Sequence, residues 1–218
     1  ARAIALECAV CLDMDKATGD DDWGARAALL TPVARAFGTD VGVKVADLGI
    51  QIHGGMGYIE ETGAAQYLRD VRVTAIYEGT NGIQAMDLVG RKLMDGGEAA
   101  YRVLDEIEAF AEEARAVSPT LAEQVWQSAE TLRETTEALL KRDPADRFVG
   151  ATPYLQGFAR VLGAHYHLKA AMAQPDTAHA RLARFYIDAL LPEHVGLLNT
   201  ALVATETVMG ISTDDLAA

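Results

Sequence analysis

The sequence has few of the residues that mark several common kinds of protein. Among its 218 residues there are two cysteines and 6% aromatic side chains, and 19 lysines and arginines stand against 32 aspartates and glutamates, a formal net charge of -13. Nucleic acids and anionic membrane surfaces repel so acidic a chain, so neither is predicted as a partner. There is also no run of about 18 apolar residues and no recognisable signal peptide, from which we predict no membrane span and a cytoplasmic location.

The two cysteines, Cys8 and Cys11, form a C-x-x-C pair, a spacing that also occurs in metal and redox sites. A structural zinc site uses four ligands, and no third cysteine is present. Ile4 shares one helical face with both cysteines, so core packing is the stronger interpretation. The acidic stretch 20–22 lacks the alternating oxygen ligands of a calcium loop and is predicted to be a solvated turn. No metal site is predicted.

Apolar residues recur at three- and four-residue steps, and strand-like alternation is not sustained anywhere, so we predict an all-α protein. A first helix should end at Thr18, and a second should begin at Thr31, with Pro32 in its first turn, and carry one apolar stripe as far as Ile52. The glycine pair 96–97 is a helix breaker. We therefore predict a helical bundle over 1–96 and a second, antiparallel helical bundle over 97–218.

Longer and simpler amphipathic helices are predicted in the second half, at about 98–114, 119–141, 145–173, 178–191 and 192–209. Four glutamates of the first of these helices fall largely outside its apolar face. They are Glu106, Glu108, Glu112 and Glu113, and we predict that they form a solvated acidic surface.

The most informative stretch is 51–84, where glycines, a lone carboxylate and a helix start lie close together in sequence. Its first part, 51–57, is too rich in glycine for a regular helix or strand, and glycine lets backbone N–H groups approach an anionic ligand closely. Its last part places Glu78 immediately before a new helix. Thr80 or Asn81 can cap that helix, and Asn81 with Gln84 has capping-box spacing.

Three motifs in this stretch carry a family resemblance: QIHGGMGY at 51–58, YLRD at 67–70 and IYEGTNGIQ at 76–84. In this order they resemble the C-terminal helical domain of acyl-CoA dehydrogenases, over about residues 1–93. Within that family the chain is similar to a bacterial group with an additional helical extension, which includes 3-methylmercaptopropionyl-CoA dehydrogenase. The resemblance implies the C-terminal part of an FAD-dependent enzyme that oxidises an acyl-CoA to the 2,3-enoyl-CoA. This part alone is expected to be inactive or nearly so.

The resemblance also implies roles for individual residues. Glu78 would be the base that removes the α-proton of the acyl-CoA, and Tyr77 and Gly79 would lie against the substrate. Electron-transfer flavoprotein is implied as the electron acceptor. The residues implied to lie against FAD are Thr80, Asn81 and Gly82, of which Gly82 can offer its backbone alone.

A second group of residues is implied to contact the adenosine-diphosphate part of FAD held by a neighbouring subunit, which in turn implies a homo-oligomer. For His53 a hydrogen bond to the backbone of its own turn is an equal alternative. The group consists of Gln51, His53, Gly54 and Gly55.

Other classes of protein share parts of this pattern. HGGMG at 53–57 is similar to the oxyanion-hole glycines of esterases, but a G-x-S-x-G nucleophile elbow is missing from the sequence. A dinucleotide-binding fingerprint would need a βαβ context, which an all-α pattern does not provide. The alternative we retain is a non-catalytic helical assembly or oligomerisation module.

Overall fold

The computed structural model describes residues 1–217, and every regular element among them is helical, which confirms the all-α prediction. Short 3₁₀ segments lie at Glu60–Thr62 and Val73–Ala75, and π-helical segments at Leu88–Lys92 and Tyr186–Leu190. The α-helices are α1 (Arg2–Thr18), α2 (Asp21–His53), α3 (Gly55–Tyr58), α4 (Ala64–Arg72), α5 (Asn81–Asp87), α6 (Glu98–Ala114), α7 (Pro119–Leu140), α8 (Pro144–Val149), α9 (Ala151–Ala173), α10 (Ala178–Phe185), α11 (Glu193–Ala201), α12 (Thr205–Met209) and α13 (Thr213–Ala217).

Helices α1 and α2 pack along each other, and the turn between them is built by glycine and aspartate. Gly19 ends α1 with φ +67°, a left-handed conformation that glycine adopts without strain. The side chain of Asp20 then accepts the N–H of Asp22 at 3.0 Å and caps α2. The three aspartates at 20–22 are exposed as predicted, but Asp21 and Asp22 belong to the first turn of helix α2 and not to a loop, and their charges complement the helix dipole. Cys8 and Cys11 are buried, which confirms core packing.

Helix α2 continues unbroken through Pro32, so the predicted helix start at Thr31 is wrong. A proline inside a helix removes one backbone hydrogen bond and costs about 3 kcal/mol. Its neighbours Leu29, Leu30 and Val33 are each 0% exposed, and each such buried side chain contributes about 1.5–3 kcal/mol. The Thr31 hydroxyl donates to a carbonyl of the preceding turn at 2.7 Å instead of capping a new helix. Burial of this face of α2 therefore outweighs the local stop signal.

Within residues 1–217, only the first half of the apolar stripe on α2 is buried by other parts of the chain. Val33 and Phe37 are 0% and 3% exposed, whereas Val45, Leu48 and Ile52 are 61%, 48% and 85% exposed. The uncovered half leads directly to the glycine turn at 54–57. An exposed apolar face of this kind is typical of a surface that contacts another molecule.

Helix α9 lies at the centre of the second half of the chain and contacts α2, α5, α7, α10 and α11. Its side chains Tyr154, Phe158 and Leu162 are fully buried. One hydrophobic core accordingly runs from α1 to α11 through both halves of the chain. The domain boundary at residue 96 lies in a turn before α6 and stays a prediction.

Two helices predicted as continuous are broken. The predicted helix at 145–173 is divided at Gly150, and the predicted helix at 192–209 is divided at 202–204. A Cβ on Gly150 would press against the carbonyl oxygen of Ala201 and lie 2.8 Å from its carbonyl carbon. The break between α8 and α9 is therefore due to close packing of Gly150 against the end of α11. The sequence around Gly150 does not indicate this contact.

The predicted solvated surface of α6 is wrong for Glu106. Its carboxylate accepts from Arg26 at 2.5 Å, from Lys169 at 3.2 Å and from the buried His165 at 3.4 Å. The hydrogen bond from His165 and the charge of Arg26 hold the pKa of Glu106 well below its usual range, although burial raises it. Glu108 is also not free in solvent, because it forms an ion pair with Arg133 on α7 at 2.9 Å. The other two glutamates, Glu112 and Glu113, are exposed as predicted.

Candidate active site

The loop between the 3₁₀ turn Val73–Ala75 and helix α5 presents Glu78 at the surface. Glu78 has φ +52°, and Gly79 follows with φ +95°. A left-handed conformation costs a side-chain-bearing residue about 1–2 kcal/mol, so the surroundings must impose it. The apolar neighbours Ile76 and Tyr77 are 50% and 52% exposed. The loop thus presents one carboxylate within an uncovered apolar surface.

Arg35 of α2 holds this loop. Its guanidinium donates to the carbonyl of Glu78 at 2.6 Å and also to the carbonyl of Tyr77. The same guanidinium lies 5.4 Å from the centre of the Tyr77 ring, in the range of a cation–π contact. Two fixed donors on consecutive carbonyls oppose rotation of the peptide between them. Arg35 therefore supports the unusual backbone of Glu78.

The helix that follows the loop is anchored through Asn81 and not capped by it. Its side-chain amide donates to the carbonyl of Ala36 at 3.2 Å, to the hydroxyl of Thr39 at 2.9 Å and to the carboxylate of Asp40 at 2.6 Å. Thr80 occupies the N-cap position without a side-chain capping bond. The predicted cap and capping box are wrong, because tertiary partners on α2 compete successfully for these polar groups.

The predicted FAD-facing residues 80–82 are partly committed to this packing. With the Asn81 amide engaged by α2, contact of Asn81 with a ligand would use its backbone. Gly82 has an open environment, with the Thr80 hydroxyl 3.8 Å from the position of a Cβ. Gly79 has similar room, since the nearest atoms to a Cβ there belong to Gln84 and Ile83 at 3.5 and 3.6 Å. The backbone of this segment is therefore accessible.

The glycine turn forms the other part of the predicted site. The prediction that 51–57 is not regular helix is wrong: 51–53 end α2, Gly54 alone breaks the helix, and 55–58 form α3, whose Gly57 packs closely against the carbonyl of Ile50. His53 donates from Nδ1 to the carbonyl of Gly49 at 2.8 Å, the backbone-bonded alternative for this histidine. Gly54 has φ +60° and ψ -142°, and a Cβ at Gly54 or Gly55 would meet no atom within 4 Å. Two backbone positions are therefore open to solvent at the end of a long rigid helix.

The two parts of the predicted site do not converge within this chain. The Glu78 loop contacts α2 at 35–40, and the glycine turn begins at residue 54. With a rise of about 1.5 Å per residue, Thr39 and His53 are separated by about 21 Å along α2. Between them, α2 and α4 form an open apolar groove of about 450 Å³, whose lining includes Val45, His53, Tyr67 and Val71.

Sequence reasoning missed the residues that hold the loop. Arg35, Thr39 and Asp40 on α2, together with Gln156 on α9, form a polar network beneath Glu78 and Asn81. The available signal was a group of polar residues at four-residue spacing within an otherwise apolar helix. Within 1–217 the structure shows no group of three or more histidine, cysteine, aspartate or glutamate residues that could hold a metal ion. No helix in that range is both long and apolar enough to cross a membrane.

Two family profiles match the chain in succession. The profile described as "Acyl-CoA dehydrogenase, C-terminal domain" matches residues 1–94, and "Acetyl-CoA dehydrogenase C-terminal like" matches residues 103–212. These two profiles agree with the helical fold and with the three motifs. The chain belongs to the acyl-CoA dehydrogenase family.

Individual relatives agree with this assignment. The chain is 42% identical over 136 residues to 3-methylmercaptopropionyl-CoA dehydrogenase of Ruegeria pomeroyi. The matched segment covers 59% of this chain and 23% of that protein. It is 32% identical over 114 residues to butyryl-CoA dehydrogenase of Syntrophomonas wolfei, covering 50% and 19%. It is 38% identical over 89 residues to the mitochondrial very long-chain specific acyl-CoA dehydrogenase of Bos taurus, covering 41% and 13%. The chain thus spans less than a quarter of the length of these relatives.

Proposed function

We propose that this chain is the C-terminal part of an FAD-dependent acyl-CoA dehydrogenase that converts an acyl-CoA to the 2,3-enoyl-CoA, with Glu78 as the base that removes the α-proton. The family and the names of the relatives support the reaction class. The observation that carries the role of Glu78 is its conformation. A glutamate is held at φ +52° on an exposed loop by an arginine bound to its carbonyl and to that of Tyr77, and strain of this kind concentrates at functional sites.

The residues around Glu78 suit an acyl thioester. Gly79 has no side chain to obstruct an acyl chain, and Tyr77 offers a half-exposed ring beside the carboxylate. Ile76 and Ile83 add exposed apolar surface on either side of the loop. When substrate and the rest of the enzyme cover this surface, water is excluded from the carboxylate and proton removal from carbon becomes easier.

The chain also offers two places for FAD, which supplies the hydride acceptor when bound. The open backbone at Gly54 and Gly55 leaves room for a diphosphate, and Gln51 and His53 flank it at the end of α2. Because this turn lies about 21 Å along α2 from the Glu78 loop, we assign it to the adenosine-diphosphate part of FAD in a neighbouring subunit, and hence propose a homo-oligomer. The FAD that serves Glu78 would lie against the backbone of 80–82.

Further assignments follow from the family. We propose a domain boundary at residue 96, with 97–218 as an extension of the dehydrogenase domain, and electron-transfer flavoprotein as the acceptor. The assignment of the reaction would be sharpened by stopped-flow measurement of flavin bleaching across a panel of straight-chain, branched and methylthio-acyl thioesters.

The test of the base is Glu78→Gln in the full-length protein. Gln has nearly the same shape but cannot accept a proton from carbon, so flavin reduction by acyl-CoA should fall by at least about 10³-fold while FAD remains bound. Stopped-flow absorbance measures both. Glu113→Gln, an exposed change on α6, is the matched control and should retain the parental rate. Reduction at the parental rate in Glu78→Gln would show that the base lies elsewhere.

A further inference from the structure

A polar chain leads from the second half of the molecule to the Glu78 loop. Gln156 on α9 donates its side-chain amide to Oδ2 of Asp40 at 2.6 Å. The other oxygen of the same carboxylate, Oδ1, accepts from the side-chain amide of Asn81 at 2.6 Å. Asn81 begins α5, three residues after Glu78. One carboxylate is therefore held on both oxygens, by α9 on one side and by the start of α5 on the other.

The α9 end of this chain is rigidly placed. Leu155 and Phe158, which flank Gln156 along the helix, are 1% and 0% exposed. On the same stretch, a Cβ on Gly157 would lie 2.7 Å from a methyl group of Leu198 on α11. Packing this close leaves α9 little freedom to slide or rotate. The Gln156 amide is accordingly presented to Asp40 by a fixed helix.

A separate contact joins the same two regions. The ring of Phe148 on α8 packs on Gly90, where an added Cβ would lie 2.9 Å from a ring carbon. Gly90 belongs to the π-helical segment Leu88–Lys92 that continues α5. The second half of the molecule therefore touches the continuation of α5 directly at Gly90, and it reaches the start of α5 indirectly, through Asp40 and Asn81.

Resting on the proposed role of Glu78, we propose that Gln156 is a positioning residue for the catalytic loop. It fixes the Asp40 carboxylate, Asp40 fixes Asn81, and Asn81 fixes the first turn of α5 from which the loop departs. The second half of the molecule, which carries no reacting group of its own, therefore contributes to catalysis by setting the direction of the Glu78 carboxylate.

The physical basis is the sensitivity of proton transfer to geometry. Without the Gln156 amide, one oxygen of a partly buried carboxylate loses its protein partner, and Asp40 is free to turn towards water. Asn81 and the loop then sample a wider range of positions. A displacement of about 1 Å at a reacting group costs up to about 100-fold in rate.

The first experiment compares Gln156→Leu with the parent in the full-length holoenzyme. We expect the rate of flavin reduction by saturating acyl-CoA to fall by about 10- to 100-fold, with a smaller change in the substrate concentration that gives half-maximal reduction. Gln127→Leu is the matched control, since it removes an exposed hydrogen bond of 2.7 Å between the Gln127 amide and the Glu123 carboxylate on α7, which has no path to Asp40. It should keep the parental rate.

A second variant separates positioning from a general effect on folding. Gln156→Glu places a second carboxylate beside Asp40, and two carboxylates at hydrogen-bond distance share a proton as the pH falls. The shared proton restores a hydrogen bond to Asp40. The reduction rate of Gln156→Glu divided by that of Gln156→Leu should therefore rise towards acidic pH, and dividing the two rates cancels the titration of the base. Repulsion between the two carboxylates also makes the stability of Gln156→Glu depend on pH, so circular dichroism measures the folded fraction of each variant at each pH and each rate is divided by it. A role in folding alone then predicts a corrected ratio independent of pH.

The outcomes distinguish this proposal from the one on which it rests. Reduction at the parental rate in Glu78→Gln would remove the proposed function and this inference together. Loss of reduction in Glu78→Gln, with a parental rate in Gln156→Leu, would overturn the role of Gln156 alone. A pH-independent ratio would also overturn it, even where Gln156→Leu is slow, because the slow rate would then reflect a damaged fold.

Discussion

At the scale of single residues, the molecule places its one unfavourable glutamate conformation at the loop proposed to carry the chemistry. Besides Glu78, Asp176 is the other residue with a side chain at positive φ among 1–217. Asp176 lies in an exposed turn, where aspartate tolerates this conformation well. Glu78 instead relies on Arg35 and on the glycine that follows it. The backbone conformation of Glu78 therefore lowers the stability of the protein and fixes the direction of its carboxylate.

This strain predicts an unusual order of stabilities. At an ordinary exposed site alanine is more stable than glycine, but at Glu78 the left-handed backbone should reverse the order. We expect Glu78→Gly to be more stable to urea than Glu78→Ala by about 0.5–1 kcal/mol. Equilibrium unfolding followed by circular dichroism measures the difference. If Glu78→Ala is as stable as Glu78→Gly, the backbone at Glu78 is not held in the left-handed region.

At the scale of helices, packing decides where elements begin and end. Helix α2 is 33 residues long and passes through a proline, while the helix predicted at 145–173 breaks at Gly150 although its composition favours continuation. In both places the deciding contact comes from a distant part of the chain. Buried neighbours sustain α2 at Pro32, and the end of α11 occupies the space beside Gly150.

Two glycine-to-alanine changes, one at the α8–α9 joint and one on α2, should change the free energy of unfolding in opposite directions. Gly150→Ala should destabilise the protein by about 1–3 kcal/mol, because the new methyl group meets the backbone of Ala201 and one of the two helices must shift. Gly38→Ala on α2 is the control, since a Cβ there meets nothing within 4 Å, and it should stabilise by about 0.5–1 kcal/mol through helix propensity. Urea midpoints measure both changes. A neutral Gly150→Ala would show that α11 does not pack against this joint.

These cases show which parts of the structure were accessible from sequence. Helical periodicity identified the all-α class and most helices, because it repeats over many residues and is insensitive to any one of them. The contacts around the candidate site were not accessible: Asn81 satisfies the local rules for a cap, yet its amide binds α2. Arg35 meets the loop from 43 residues upstream, and Gln156 meets Asp40 beneath it from a different half of the chain. The four-residue spacing of polar residues marks one face of α2 as polar, but which segment meets that face is set by tertiary packing, which local sequence does not record.

At the scale of the whole molecule, one charged cluster joins both halves of the core. Arg26 on α2 pairs with Glu7 on α1 at 2.8 Å and with Glu106 on α6 at 2.5 Å, and Glu106 also contacts His165 and Lys169 on α9. Three helices therefore meet at the Glu106 carboxylate, and α1 joins them through Arg26. In a chain with a net charge of -13, this concentration of basic groups around Glu106 keeps it ionised and ties the halves together.

The cluster makes the stability of the molecule depend on pH. Burial lowers the pKa of His165 from its ordinary value of 6.5, so the unfolded chain takes up a proton there before the folded one does. The hydrogen bond from His165 and the charge of Arg26 lower the pKa of Glu106 from 4.5 in the folded state. In both cases the unfolded state binds more protons, and the free energy of unfolding must fall on acidification. The fall should begin below about pH 6.5 and steepen below about pH 4.5.

Glu106→Gln tests the lower part of this dependence. At neutral pH the variant should be less stable than the parent by about 1–3 kcal/mol, because the charged hydrogen bonds to Arg26, His165 and Lys169 are weakened. Below pH 4.5 the parent loses the same contribution while the variant has none to lose, so the two curves of unfolding free energy should converge. Urea unfolding at a series of pH values measures this, with the exposed Glu113→Gln as the control that follows the parent throughout. Parallel curves for parent and Glu106→Gln would mean that the halves of the core are held together without this carboxylate.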